Sequence, residues 1–157
     1  MAIRNIVKKG DPILGKVCRP VTDFNERLWL LLDDMHETLR DADGAGLAAP
    51  QVGILRSLAL VMLEDGSYLE IINPKIVESE GTQSGAEGCL SVPDIFGVVT
   101  RPMKVTVEAQ DRYGKSFSMT AEGFTARAFC HEIDHLSGHL FTEYVDRYID
   151  INDQGEE

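Results

Sequence analysis

From residue 28 to residue 39 the apolar side chains fall at helical spacing, with Leu28, Leu31, Leu32, Met35 and Leu39 on one stripe. Asp23 can cap this segment, with Glu26 three residues on reaching back as in a capping box, and Gly44 and Gly46 follow its end. The pattern predicts a helix over 23–42. Beyond Gln51 the period changes. Ser57–Leu63 and Tyr68–Ile72 read as strands joined through Glu64-Asp65-Gly66-Ser67, a hairpin signal, and Lys75–Ser79 reads as a further strand after Asn73-Pro74. Lys104–Gln110 alternates, with Val105, Val107 and Ala109 on one face, and Asp111-Arg112-Tyr113-Gly114 turns it into Ser116–Ala121. A second helix is predicted over about 123–136, closed by Gly138, and 146–157 read as a frayed polar tail.

Helix, strand block and helix, without βαβ alternation, predict an α+β fold. The 157 residues suit a single domain, here expected to span 1–157. With 43% hydrophobic and 26% charged residues the chain is neither disordered nor fibrous. Charge changes the picture more. Fifteen basic against 26 acidic residues give a net charge of −11, which disfavours nucleic-acid binding unless the bases cluster, and along the sequence they do not. Three cysteines cannot all pair, the N-terminal stretch lacks the apolar core of a signal peptide, and no apolar run nears the roughly 20 residues of a membrane span. A reduced, cytoplasmic protein without a membrane partner is expected.

The residues with the most chemistry are His131-Glu132-Ile133-Asp134-His135. Histidines at i and i+4 of a helix share one face, so both imidazoles can reach one metal ion, and the intervening glutamate can accept a proton from water beside it. Phe124 and Ala128 share that face and would form an apolar approach. The same histidines could instead line an ordinary core helix. A catalytic metal needs a third ligand. Ten residues after His131 stands Phe141 where a long zincin motif has histidine, and a ligand about 20 residues further on would fall in the polar tail. The third ligand is therefore expected upstream, with Cys89 in Glu87-Gly88-Cys89-Leu90-Ser91 as candidate. A small buried hydrophobe is the alternative for Cys89, and Cys18 and Cys130 read as structural.

Three segments together resemble the peptide deformylase family: Gly44-Ala45-Gly46-Leu47-Ala48-Ala49-Pro50-Gln51, then Glu87-Gly88-Cys89-Leu90-Ser91, then His131 to His135 with Leu136 and Gly138. The resemblance implies antiparallel β-sheets around a central metal-binding α-helix, with an N-terminal helix. It implies a metal-dependent hydrolase that removes the N-formyl group from formyl-methionyl nascent polypeptides and releases formate. Cys89, His131 and His135 become metal ligands for Fe2+, with Ni2+, Co2+ or Zn2+ able to substitute. Glu132 becomes the general base, and Gln51 with the Leu90 N–H the oxyanion donors, although Gln51 by itself reads more often as a solvated loop amide. Ala45, Gly46, Glu87, Phe124, Arg127 and Ala128 become the substrate-binding set. The ribosome is a further partner in some members, through a basic C-terminal extension; the acidic residues here would repel ribosomal RNA.

Overall fold

The computed structural model describes residues 2–149. Helix α1 runs over Glu26–Ala42 and begins later than the sequence pattern predicts, because Asn25 rather than Asp23 is its cap. Asn25 is extended and its side chain accepts a hydrogen bond from the Leu28 N–H at 3.3 Å. Asn and Asp cap about equally well, so local chemistry does not choose between them. At the other end Asp43, not a glycine, takes the left-handed conformation at φ 54°, and the Gly44 N–H reaches back to Leu39.

Five strands form one antiparallel sheet in the order β1 (Gly46–Ala48), β2 (Leu58–Met62), β3 (Tyr68–Glu80), β6 (Lys104–Gln110) and β7 (Ser116–Glu122). Three more form a second sheet, in the order β4 (Gln83–Cys89), β5 (Val92–Arg101) and β8 (Val145–Ile149). Two expectations are corrected here and one element is added. Asn73-Pro74 does not separate two strands: β3 continues through a register shift there, with Asn73 at φ 51°, so the proline sits in a bulge. The 83–101 region, which carries no alternating pattern, is a β-hairpin. The frayed tail does not begin at 146, because 145–149 pair with β5 as β8 and ladder bonds offset the polar composition. Residues 150–157 of that tail lie outside the described residues.

The apolar run of β2 explains the layering. Its alternate residues point to opposite faces. Leu58 and Leu60 join Leu28, Leu32, Met35 and Leu39 of α1, while Ala59 and Val61 join Ala126, Phe129 and Cys130 of α2 (Gly123–Leu136). The larger sheet is thus covered by α1 on one face and α2 on the other. Val105, Val107 and Ala109 line the α2 face, as their alternation predicts. Phe129 is fully buried, a burial worth roughly 1.5–3 kcal/mol in transfer free energy. The second sheet closes over the other side of α2, where Val92, Val99 and Phe141 form a smaller core joined by Cys89. Helix α2 therefore lies between two antiparallel sheets and ends where Gly138 turns at φ 83°; a β-carbon there would stand 2.7 Å from the Gly15 carbonyl oxygen.

Candidate active site

The HEIDH segment lies in the buried second half of α2, and one helical turn separates His131 from His135. Their ring centroids are 5.1 Å apart. The β4–β5 hairpin brings Cys89 to the same point, with its Sγ 3.3 Å from the His135 Nε2. Ligating atoms of Cys89, His131 and His135 all lie within 4.8 Å of one another. A thiolate and two imidazoles in that space suit a transition metal.

Orientation comes from Glu87, one residue before the glycine that precedes Cys89. Its buried carboxylate accepts from His131 Nδ1 at 2.9 Å, which leaves His131 Nε2 for the cluster. The same carboxylate accepts two bonds from Arg101, at 2.8 and 2.9 Å, and one from Arg127 at 2.7 Å. Arg101 also donates to Asp134 at 2.6 Å, tying β5 to α2. Burial would raise the Glu87 carboxyl, but the bonds from Arg101 and His131 outweigh it and hold it at about 2. Burial likewise lowers His131, yet the neighbouring Cys89 and Glu87 prevail and raise it to about 10. Burial keeps His135 well below its ordinary value and hence neutral. Its Nδ1 has no hydrogen-bond partner within the described residues.

Glu132 is buried beside the cluster, and burial pushes its carboxyl up to about 7 against the pull of His131. Its Oε1 is also without a partner. The carboxylate lies against Gly46 of β1. Gln51 is buried, not solvated: its Oε1 accepts from the Ala48 N–H at 2.9 Å, which turns its Nε2 toward Ser91 Oγ at 3.1 Å and Cys89 Sγ at 3.5 Å.

These groups open into a cleft of about 600 Å³. Gln51, Cys89, Leu90, His131 and Glu132 line it, as do all six expected substrate-binding residues, Ala45, Gly46, Glu87, Phe124, Arg127 and Ala128. They do not line it alike. Phe124 is 61% exposed at the edge, whereas Arg127 is 6% exposed and its guanidinium is engaged by Glu87 and the Val99 carbonyl. Sequence reasoning missed Arg101, Asp134 and Ser91. Asp134 sits within the motif, but nothing in spacing pairs it with an arginine 33 residues away.

A central helix between antiparallel sheets, with a Cys-His-His cluster and a buried carboxylate on one cleft, defines a metallohydrolase. The polypeptide deformylase family model matches residues 3–149. A peptide deformylase of Caldanaerobacter subterraneus subsp. tengcongensis is 53% identical over 150 residues, covering 96% of this chain and 94% of the relative. The crystal structure of peptide deformylase from Thermotoga maritima superposes with a TM-score of 0.91 at 38% identity, covering 93% of this chain and 99% of that one. A Met-Ala-Ser-bound class I type b peptide deformylase from Acinetobacter baumannii superposes with a TM-score of 0.86 at 34% identity, covering 91% and 98%. The chain belongs to the polypeptide deformylase family. It is a hydrolase that removes the N-formyl group from nascent polypeptides, and its family is one of metalloenzymes. No helix of the described residues is long and apolar enough to cross a membrane.

Proposed function

We propose that residues 1–157 act as one catalytic domain in the cytoplasm and that deformylation takes place at the inner end of this cleft, with Glu132 as general base and acid. The observation that carries this reading is the buried Glu132 carboxylate, its Oε1 without a partner among the described residues, beside the Cys89, His131 and His135 donors. Cys89 Sγ and the His131 and His135 imidazoles would hold Fe2+, with Ni2+, Co2+ or Zn2+ as substitutes. Bound there, the ion supplies Lewis acidity toward water and the formyl oxygen.

The remaining chemistry belongs to the chain. Glu132 takes a proton from the attacking water as its oxygen bonds to the formyl carbon. The Gln51 amide and the Leu90 N–H donate to the oxygen of the tetrahedral intermediate, a role worth on the order of 10²–10³ in rate per donor. Ala48 keeps the Gln51 amide turned so that N–H groups face the cleft. The carbon–nitrogen bond then breaks, and Glu132 returns the proton to the leaving amine, giving formate and a free N-terminus. The Acinetobacter relative carries Met-Ala-Ser, a sequence of the same form as a deformylated N-terminus. We assign Phe124, Ala128 and the stem of Arg127 to the methionine side chain and Gly46 with Ala45 to the substrate backbone. Glu87 acts one layer behind, orienting His131.

The test is formate release from formyl-Met-Ala-Ser by protein loaded anaerobically with iron(II) or nickel(II). Glu132→Ala should keep its metal and lose turnover, while Cys89→Ser should weaken metal binding. Retained turnover in Glu132→Ala removes the assigned base, and unchanged metal affinity in Cys89→Ser removes that ligand.

A further inference from the structure

Gln51 and Ser91 stand on elements that no strand ladder joins. Gln51 lies in the single helical turn Ala49–Val52 that follows β1 of the larger sheet, and Ser91 lies between β4 and β5 of the smaller one. Two main-chain bonds bridge them from the N-terminal segment. The Val7 N–H donates to the Gln51 carbonyl and the Lys9 N–H to the Ser91 carbonyl, both at 2.7 Å. The side chains then meet, with Gln51 Nε2 donating to Ser91 Oγ at 3.1 Å. Both residues are buried, Ser91 completely. Its hydroxyl is neither one of the clustered metal donors nor part of the cleft wall.

A carboxamide carries one acceptor oxygen and two N–H donors in a plane. At Gln51 the oxygen is taken by the Ala48 N–H at 2.9 Å. That bond alone leaves the nitrogen end free to swing, because a terminal amide torsion is broad. The Ser91 hydroxyl takes one N–H and fixes that end. The second N–H is left for the side of Cys89, whose Sγ, a weak acceptor, lies 3.5 Å from Nε2.

We propose that Ser91 is a positioning residue for deformylation: its hydroxyl holds the Gln51 amide so that one N–H stays directed at the oxygen of the tetrahedral intermediate. This rests on Gln51 being an oxyanion donor. Charge develops on that oxygen only as the intermediate forms, so the contact bears on kcat and not on ground-state binding. Losing an oxyanion donor costs on the order of 10²–10³ in rate, and loosening one costs a part of that, about tenfold.

The experiment is a double-mutant cycle of Ser91→Ala and Gln51→Ala, read as formate release from formyl-Met-Ala-Ser on nickel-loaded protein. Ser91→Ala should lower kcat about tenfold and keep KM within about twofold of wild type. Its nickel content and thermal midpoint should stay near those of wild type. Ser91→Thr keeps a hydroxyl on the same carbon and should retain kcat within about threefold. In the Gln51→Ala background there is no amide left to hold, so adding Ser91→Ala should change kcat by less than about twofold. A serine that served only the fold would give the same fall in both backgrounds. That result, a Ser91→Ala kcat near wild type, or a Ser91→Thr as slow as Ser91→Ala overturns the inference. Should one Ser91 variant fail to fold, the other decides alone. Gln51→Ala with a wild-type kcat overturns the oxyanion assignment beneath the inference, an outcome distinct from a slow Gln51→Ala beside an unaffected Ser91→Ala.

Discussion

The Glu132 carboxylate lies directly against the α-carbon of Gly46: a methyl group built there would sit 2.8 Å from Glu132 Cδ and 2.9 Å from Cγ. Real β-carbons do not approach that closely, so glycine at this position is what lets the carboxylate reach the cleft. Gly46→Ala must swing Glu132 aside. Small displacements of reacting groups cost about 10² in rate, so formate release should fall by about that factor while metal content stays near wild type. Turnover within threefold of wild type would show that the carboxylate relocates without cost.

Glu87 joins three buried cations or donors, Arg101, Arg127 and His131. Glu87→Ala would leave two guanidiniums buried without their carboxylate, a loss of about 3–5 kcal/mol. Urea unfolding should report it as a lower midpoint. The His131 ring also loses its orienting acceptor, so metal affinity should weaken about 10–100-fold. Loss of metal affinity without loss of stability would mean the arginines find other partners.

On the far side of the molecule, burial would raise the Glu70 carboxyl, but hydrogen bonds from Arg112 and His36 hold it at about 2. A carboxyl lowered in the folded state stabilises the fold above the ordinary carboxylate range, and the gain is lost as pH falls from about 5 toward 2. Glu70→Gln should therefore be less stable than wild type at neutral pH by on the order of 2–3 kcal/mol, with the difference shrinking through that window. Chemical unfolding at several pH values checks this, and a difference independent of pH would refute the assignment.

The three cysteines differ in environment. Burial pushes the Cys18 and Cys130 thiols up to about 11, whereas Cys89 is half-buried on the cleft. Iodoacetamide at pH 8 should label Cys89 alone in folded, chelator-treated protein, and all three in denaturant. Nickel should protect Cys89. Equal labelling of Cys130 in the folded state would contradict its burial.

Much of this was legible along the chain. The Leu28-to-Leu39 stripe, the alternation of Val105, Val107 and Ala109, and the i, i+4 histidines each encode structure within a few residues, where period and propensity act. The α+β class and the metal pair followed from those local signals; the lack of a downstream ligand made Cys89 the candidate, and the resemblance of three short segments to one family supported it. What stayed hidden depends on distance. The β4–β5 hairpin carries Gly85, Gly88, Pro93 and Gly97, residues with little strand preference, so only pairing partners and packing on α2 make it a sheet. The choice of Asn25 over Asp23 as cap is not encoded locally, since both side chains cap alike. The Glu87–Arg101–Arg127 cluster joins residues up to 40 positions apart, and a buried ion pair leaves no periodic trace. Local interactions repeat along the chain and can be read from it; the charges that orient His131, and the glycine that admits Glu132, became visible only once the fold had brought them together.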